Sequence, residues 1–273
     1  MGEKQILNDT VVDLTYLQWS ISRYSSGTLG SFLKSYEEDE SGKIYYKMSN
    51  FVSGQGVFGH ECFNEIVAKN ILRILGYDYL DYELLKARVI INEMEYVTWL
   101  TKSRDYKKTG EKKLAIENYY EINRLVKESK ADFLERVGFA KQFYNMLIFD
   151  YLIFNRDRHG ANVEVLLKDG RVRLAPIFDN GLSFLFSTYD QLPKIEEFNL
   201  LGTGIVNNWF GSMDVKDNLR FASKDEIKRV VELKWKREDV FQDLENCDAV
   251  STELKNAMWE MLLNRIDVIR GMV

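Results

Sequence analysis

The chain has 273 residues, 45% of them hydrophobic, and a formal net charge of −5 at pH 7. This length and apolar content exclude a disordered chain and are sufficient for one large domain or two small lobes. The acidic balance gives no overall attraction to DNA, RNA or anionic lipid, so we expect neither direct nucleic-acid binding nor membrane binding.

The cysteine content and the N-terminus indicate a cellular compartment. Cys62 and Cys247 are the only cysteines, and neither belongs to a CxxC pair or a Cys/His cluster. The sequence therefore predicts no disulfide framework and no zinc site. The first residues lack the basic and apolar regions of a signal peptide, and no segment is long and apolar enough to span a bilayer. We expect a cytoplasmic protein.

The first predicted elements are strands on either side of a glycine- and serine-rich segment. Residues 11–17 and 44–48 are short runs with β character, and residues 25–31 read SSGTLGS. A Gly/Ser segment between two strands is the expected form of a loop that covers phosphates, although such a segment alone is a weak signal. The expected nucleotide contacts in this loop are Ser26, Gly27, Thr28 and Gly30.

A helix and further strands complete the first predicted lobe. Apolar residues recur at helical spacing after Gly59, and Gly76 is a plausible end of that helix. Residues 80–100 return to β character, with a turn at Asn92 and Glu93. We therefore assign residues 1–101 to a strand-rich N-lobe that contains one long helix.

The second predicted lobe, residues 102–273, is mainly helical. Helical periodicity covers residues 113–128, 132–154, 224–234, 237–245 and 252–270. Between them, residues 163–167 and 172–174 flank an Asp-Gly turn at Asp169 and Gly170, which indicates a hairpin. The order of elements predicts an α+β, bilobal architecture.

A constellation of polar residues around this hairpin carries the predicted chemistry. The loop 155–162 contains Asp157 and Asn162, and the loop 176–181 after the hairpin contains Asp179. Phosphoryl transfer needs a group that orients the acceptor hydroxyl, together with metal ligands that bridge the phosphates. Asp157 suits the first task, and the oxygens of Asn162 and Asp179 suit Mg²⁺. In a lone DxxxxN pattern a simple polar turn would be the better interpretation.

A lysine and a glutamate complete the predicted site. Lys47 lies near the end of the predicted strand 44–48, as a lysine that holds the α- and β-phosphates of ATP should. Its expected partner is Glu65 on the following helix, with Glu61 one turn earlier as the substitute. An exposed strand lysine and a solvated helix glutamate are the alternative interpretation.

Two histidines require separate interpretations. His159 lies inside the loop 155–162 and could contact the γ-phosphate, but bracing of the loop is the favoured role. His60 is expected to be a structural residue at the start of the first helix. No nucleophile elbow or HExxH pattern supports a hydrolase.

The two-part motif resembles a known family. FNRDRHGAN followed by LAPIFDNG resembles the catalytic core of HipA-like serine/threonine kinases, including the short CtkA-like forms. Weaker similarity in YYKMSNF, GHECFNEIVAKNILRILG and TKSRDY extends the resemblance over most of residues 20–190. The DRHxxN order is also similar to that of phosphatidylinositol kinases.

The resemblance implies a protein-kinase-like fold with an ATP- and Mg²⁺-dependent activity on Ser or Thr residues of a protein substrate. It implies Asp157 as the catalytic base, Asn162 and Asp179 as metal ligands and Lys47 as the nucleotide contact. It also implies an antitoxin-type protein partner, which HipA toxins have. Two departures are the SSGTLGS segment and the DNG sequence at residues 179–181, where many kinases have GxGxxG and DFG.

Two rival functions remain open at this stage. A lipid or small-molecule kinase is suggested by the DRHxxN order, and the acidic pI argues against the lipid version. A catalytically inactive nucleotide-binding module is the second rival. Retention of Asp157, Asn162, Asp179 and Lys47 argues against it, because an inactive site has no physical need for that set.

Overall fold

The structure, a computed structural model, describes residues 11–21, 32–52, 56–188, 191–245 and 247–273. The predicted phosphate-loop contacts Ser26, Gly27, Thr28 and Gly30 lie outside the described residues. In the first part of the chain the elements are β1 (Val12–Asp13), β2 (Ser20–Ile21), β3 (Leu33–Asp39), β4 (Gly42–Met48), β5 (Phe51–Val52), β6 (Gly56–Val57), α1 (Glu61–Leu75), β7 (Tyr82–Ile91) and β8 (Met94–Arg104).

Six of these strands form one mixed sheet in the order β1-β7-β8-β4-β3-β2. Only β1 and β7 pair in parallel, and the other neighbours are antiparallel. The remaining two strands, β5 and β6, form a separate antiparallel pair. We call this sheet together with α1 the small lobe. Its last strand continues to Arg104, past the predicted boundary at residue 101.

Local sequence explains the ends of the small-lobe elements. Helix α1 ends at Gly76, which adopts the left-handed conformation at φ 68° and donates its N–H to the carbonyls of Leu72 and Arg73. The turn between β7 and β8 is formed by Asn92 and Glu93, both at positive φ, as a two-residue hairpin with the twist of its strands requires. The predicted helix end and turn are therefore confirmed.

The pairing of β3 with β4 divides the side chains of the sheet between two faces. Lys34 lies opposite Lys47 and Tyr36 lies opposite Tyr45, so these four side chains share one face. The alternate residues are buried on the other face, in a core that includes Leu33, Ile44, Met48, Val89 and Leu100. The period of two along each strand thus directs both lysines to the cleft below the sheet.

The rest of the chain is mainly helical and forms the large lobe. Its elements are β9 (Lys112–Ala115), α2 (Ile116–Asn123), α3 (Lys130–Arg136), α4 (Ala140–Ile153), β10 (Glu164–Lys168), β11 (Arg171–Leu174), α5 (Leu192–Glu196), α6 (Lys224–Glu232), α7 (Arg237–Phe241) and α8 (Thr252–Arg270). Strands β11, β10 and β9 form a small antiparallel sheet. The predicted α+β, bilobal class is confirmed. No helix among the described residues has both the length and the apolar character needed to cross a membrane.

Two helical predictions for the large lobe were wrong in detail. Residues 112–115 form β9 instead of the start of a helix, because Leu114 pairs with Val165 of β10. The predicted helix over residues 132–154 is broken into α3 and α4 near Gly138, which lies at φ 78°. Pairing with a distant strand and a left-handed glycine override helical periodicity in these two places.

Candidate active site

The loop 155–162 begins where α4 ends. Phe154 adopts a left-handed conformation at φ 52° and closes the helix. The next residue, Asn155, is completely buried and makes two hydrogen bonds that shape the loop. Its Nδ2 donates to Asp150 Oδ1 at 2.9 Å, and its Oδ1 accepts from the Asp157 N–H at 3.1 Å. The backbone of Asp157 is therefore fixed by a side chain two residues earlier.

Arg158 joins this loop to α4 and to the loop 176–181. Its guanidinium is buried, and its Nη2 lies 2.8 Å from Asp150 Oδ1 and 2.6 Å from Asn180 Oδ1. Its Nη1 donates to the carbonyl of Phe178 at 2.8 Å. Burial alone would lower the pKa of Arg158, but Asp150 raises it above its usual value. Arg158 therefore stays charged and holds the two loops together.

One oxygen of the Asp157 carboxylate accepts a hydrogen bond from a side chain, and the other lies near His159. Asn207 donates from Nδ2 to Asp157 Oδ1 at 3.1 Å, and His159 Nε2 lies 3.7 Å from Asp157 Oδ2. His159 Nδ1 accepts from the N–H of Ala161 at 3.1 Å. This hydrogen bond gives His159 a bracing position inside the loop. The side chain of Asp157 is 16% exposed, so an acceptor hydroxyl has access to it.

Asn162 is also held by the loop that carries it. Its Nδ2 donates to the carbonyl of Asp157 at 2.8 Å, which leaves its Oδ1 as an acceptor. Asp179 adopts a left-handed backbone at φ 58°, and its carboxylate is 27% exposed. One amide oxygen and one carboxylate therefore lie on the two loops that Arg158 joins.

Lys47 links the small lobe to this arrangement. Its Nζ lies 3.1 Å from Glu65 Oε1 and 2.5 Å from Asp179 Oδ1. Glu65 is completely buried, and its Oε2 accepts from the N–H of Asn180 at 2.9 Å. Among the described residues, Lys47 makes no ion pair with Glu61. Of the two glutamates considered from the sequence, Glu65 is the partner of Lys47.

Burial and charge act in opposite directions on the Lys47–Asp179 pair. Burial alone would lower the pKa of Lys47, but the carboxylates of Asp179 and Glu65 raise it well above its usual value. Burial alone would raise the pKa of Asp179, but Lys47, Lys34 and Arg158 hold it below its usual range. Both groups therefore remain charged across the neutral pH range.

Helix α1 contacts the loop 176–181 directly. Asn64 donates from Nδ2 to the carbonyls of Gly181 and Ser183 at 2.8 and 3.0 Å. A Cβ on Gly181 would lie 3.0 Å from Glu61 Cβ, so a glycine permits this close approach. Glu61 is buried beside this contact, and burial raises the pKa of its carboxyl group.

The residues present fit a magnesium site with few protein ligands. The described parts of the chain contain no group of three or more His, Cys, Asp or Glu side chains that could hold a metal ion. Asn162 and Asp179 supply one amide oxygen and one carboxylate. Mg²⁺ is commonly bound by one or two carboxylates together with phosphate and water oxygens, so this donor set suits a nucleotide-bound ion.

Several residues that shape the site were not identified from the sequence. Asn207 lies 50 positions after Asp157, and no local pattern marks it. Asn64 is one residue before Glu65, in a helix already assigned to the site. Lys34 lies across from Lys47, and the alternation of strand residues after the Gly/Ser segment could have indicated its face.

Comparison with protein-family models and with curated protein sequences found no match. Comparison with solved structures found the Helicobacter pylori proinflammatory kinase CtkA, which is 17% identical. The match covers 96% of this chain and 98% of CtkA with a TM-score of 0.64. This chain has a kinase fold. The predicted resemblance to CtkA-like kinases is confirmed at the level of the fold.

Two further kinase-fold comparisons are weaker. A chain in the complex of the Shewanella oneidensis MR-1 toxin–antitoxin system HipA, HipB and its operator DNA is 10% identical, with a TM-score of 0.48 over 93% of this chain and 67% of that one. The Golgi casein kinase is 11% identical, with a TM-score of 0.43 over 90% of this chain and 71% of its own. Scores this low support no argument about this chain.

Within the kinase fold, the site described above lies between the two lobes. The small lobe contributes Lys47 and Glu65, and the large lobe contributes Asp157, Asn162 and Asp179. The ion pair between Lys47 and Asp179 crosses the cleft, and it brings together residues that are 132 positions apart.

Proposed function

We propose that the chain is an ATP- and Mg²⁺-dependent protein kinase that phosphorylates Ser or Thr residues. The observation that carries the proposal is the position of Lys47, whose ammonium lies within 3.1 Å of both Glu65 and Asp179. A lysine paired with a helix glutamate and directed at a metal-binding aspartate is the arrangement that kinase phosphoryl transfer requires.

In this proposal the small lobe holds the nucleotide. Lys47 would contact the α- and β-phosphates, and Glu65 keeps its ammonium in position from the buried side. Because Asp179 is partly exposed while Glu65 is not, a phosphate can displace the Asp179 contact and leave the Glu65 contact intact. Asn162 and Asp179 would hold the magnesium ion, which would supply positive charge that neutralises the phosphates.

The large lobe supplies the group that acts on the acceptor. Asp157 would accept a hydrogen bond from the substrate hydroxyl and orient its oxygen towards the γ-phosphate. The hydrogen bond from Asn207 limits the rotation of the Asp157 carboxylate, and the Asn155 hydrogen bond fixes its backbone. Positioning of this kind accounts for much of the rate acceleration in phosphoryl transfer.

The test is phosphate transfer from γ-labelled ATP with magnesium, to the chain itself and to proteins of a cell lysate. We expect label with wild type and with the control Asp169→Asn, an exposed residue of the β10–β11 turn. We expect at least about a hundredfold less label with Asp157→Asn, the range typical for loss of a general base. Equal labelling by wild type and Asp157→Asn would remove Asp157 from the mechanism.

The substrate class has its own test. Acid hydrolysis of the labelled protein should release phosphoserine or phosphothreonine. Label found only in lipid or in a small metabolite would replace the protein substrate with that class. An antitoxin-type protein partner and a cytoplasmic location remain predictions of the sequence, and co-purification of the tagged chain from its own cells tests the partner.

A further inference from the structure

A cavity outside the cleft lies beside Arg156, the residue that precedes Asp157. It has a volume of about 290 Å³ and is lined by Phe154, Arg156, Phe198, Asn199, Gly202, Gly204 and Ile205. We call it the Arg156 pocket. The functional assignments above leave both the pocket and its arginine without a role.

The guanidinium of Arg156 is surrounded by aromatic rings. Its central carbon lies 4.6 Å from the ring centre of Phe154, 4.7 Å from that of Phe186 and 5.6 Å from that of Phe198. Its one hydrogen bond to a described residue is a long one, from Nη2 to the carbonyl of Phe184 at 3.5 Å. Its Nε is buried and has no acceptor.

Arg156 also lacks an anionic neighbour. No carboxylate in the described part of the chain forms an ion pair with it, and burial lowers the pKa of its guanidinium. The aromatic faces compensate part of this cost, but they accept no hydrogen bond from the buried Nε. A half-buried cation with an unsatisfied donor beside a cavity is the chemistry of an anion site.

Arg158, two residues later, provides an internal comparison. It lies on the same loop, 155–162, and its donors are satisfied by Asp150, Asn180 and the carbonyl of Phe178. The fold therefore supplies a buried carboxylate to one arginine of the loop and none to the other. Because Arg156 has no such carboxylate, its guanidinium is available to a group from outside the chain.

Another arginine, which is buried, increases the positive charge at this pocket. Arg265 of α8 lies over the same Phe154 ring, with its central carbon 4.6 Å from the ring centre. Its donors are used by the carbonyls of Tyr151, Leu200 and Gly202, so it fixes the pocket wall and binds no anion itself. Burial lowers its pKa to about 10, and the charge of Arg156 contributes in the same direction.

The pocket adjoins the position of the acceptor hydroxyl. The N–H of Asn207 donates to the carbonyl of Arg156 at 2.8 Å, while the Asn207 side chain donates to the Asp157 carboxylate. The segment 204–207 therefore runs from the rim of the pocket to the catalytic aspartate. Ile205 on this rim is 85% exposed. A polypeptide with its hydroxyl at Asp157 would place a neighbouring residue near the pocket.

We propose that the Arg156 pocket binds an oxyanion on the protein substrate, an acidic side chain close to the residue that is phosphorylated. A guanidinium binds carboxylate and phosphate groups through paired N–H donors, so an aspartate, a glutamate or an already phosphorylated residue shares the required chemistry. The claim that the anion belongs to a protein substrate rests on the proposed function. The claim that the pocket binds an anion rests only on the residues of the pocket.

The first test measures anion binding without turnover. Phosphoserine is titrated by calorimetry into the protein saturated with Mg²⁺ and a non-hydrolysable ATP analogue. Arg156→Met keeps apolar packing against the phenylalanines and removes the charge. Arg220→Met is the matched control, because Arg220 also lies over a phenylalanine ring but is exposed. We expect wild type and the control to bind alike and Arg156→Met to bind about tenfold or more weakly.

Equal binding by wild type and Arg156→Met, or no saturable binding by wild type, would overturn the anion site. Because this readout needs no catalysis, it remains decisive even when the labelling experiment shows no kinase activity. Arg156→Lys provides a second variant that keeps the charge but loses the paired donors. It should bind more tightly than Arg156→Met and more weakly than wild type.

The second test identifies the source of the anion. Peptides with a central Ser or Thr carry Asp, Glu or phosphoserine at one flanking position at a time. We expect wild type and Arg220→Met to label peptides with an acid at one position about tenfold better than neutral peptides, and Arg156→Met to lose this preference. The peptide series that is labelled more strongly, with a carboxylate or with phosphoserine, identifies the natural group. A preference that survives in Arg156→Met would contradict the assignment.

Discussion

The ammonium of Lys47 lies between two carboxylates that have different tasks. Glu65 is completely buried and also holds the backbone of Asn180, so its contact is structural. Asp179 is partly exposed and lies on the loop that would hold the metal ion. The same lysine therefore has one permanent partner and one that a nucleotide phosphate can replace.

Substitution of Asp179 tests its proposed role as a metal ligand. Asp179→Ala should weaken magnesium-dependent binding of an ATP analogue by at least about tenfold, since losses of this size occur even for outer-shell partners of metal ligands. Calorimetry with and without Mg²⁺ measures the effect, and Asp248→Ala, an exposed aspartate, is the control. Identical Mg²⁺-dependent affinity in wild type and Asp179→Ala would show that the carboxylate is not a ligand.

Glu61 gives a prediction about pH. Burial raises the pKa of its carboxyl group, so the folded protein binds this proton more tightly than the unfolded chain does. The free energy of unfolding then decreases as pH rises above the ordinary glutamate pKa of about 4.3. Glu61→Gln has no such proton and should gain stability relative to wild type as the pH rises above about 4.3.

Urea unfolding across that pH range measures the difference, with the exposed Glu196→Gln as the control. A constant difference between Glu61→Gln and wild type at every pH would mean that the two states bind the Glu61 proton equally. The control should parallel wild type throughout.

At the scale of elements, the end of α4 and the two site loops behave as one unit. Asp150 of α4 binds Arg158 and Asn155, and Arg158 continues the network to Asn180 and Phe178. The left-handed Phe154 turns the chain so that both the loop and the helix can reach Asp150. The geometry of the loop 155–162 therefore depends on Asp150, a buried residue of the helix.

Asp150→Ala should be strongly destabilising. It leaves the Arg158 guanidinium buried without its carboxylate, and loss of one member of a buried ion pair typically costs about 3–5 kcal/mol. The control is Asp267→Ala, which breaks the exposed Asp267–Arg270 pair on α8 and should cost less than about 1 kcal/mol. Chemical denaturation of both variants measures the two costs.

The double variant Asp150→Leu with Arg158→Met checks the reason for that cost. Apolar residues of similar size should recover most of the free energy of unfolding, because no uncompensated charge remains. A double variant as unstable as Asp150→Ala would indicate that packing, and not the unpaired charge, determines the loss.

At the scale of the whole molecule, several contacts join the lobes in the cleft. Among them are the ion pair between Lys47 and Asp179, the hydrogen bond from the N–H of Asn180 to Glu65, and the amide of Asn64 on the carbonyls of Gly181 and Ser183. All of these connect the small lobe to the loop that follows the β10–β11 hairpin. A nucleotide in the cleft would therefore contact both lobes and stabilise them together.

This coupling predicts a ligand-dependent change in stability. A magnesium–ATP analogue at about one hundred times its dissociation constant should add about 2.7 kcal/mol to the free energy of unfolding. At the same ligand concentration Lys47→Met should show a much smaller increase, and the exposed Lys234→Met should match wild type. Thermal and urea unfolding provide the measurement. An equal increase in Lys47→Met would separate Lys47 from nucleotide binding.

Features that depend on local backbone chemistry could be predicted from the amino-acid sequence. Gly76 ends α1, Asn92 and Glu93 turn one hairpin, and Asp169 and Gly170 turn another, because these residues tolerate positive φ. The order of strands, helices and loops could be predicted from the periodicity of apolar residues. The spacing of Asp157, Asn162 and Asp179 is read directly from the sequence. The resemblance to a kinase family followed from the motifs FNRDRHGAN and LAPIFDNG.

Contacts between distant groups became visible only in the folded chain. Strand β9 replaced a predicted helix start because β10 was available to pair with it. Asn207 reached Asp157 from 50 positions away, and Asp179 met Lys47 across 132 positions. These outcomes depend on contacts between residues far apart in the chain, whose free energies no local pattern records. The sequence therefore specified the chemical groups of the site, and folding decided how each of them is partnered.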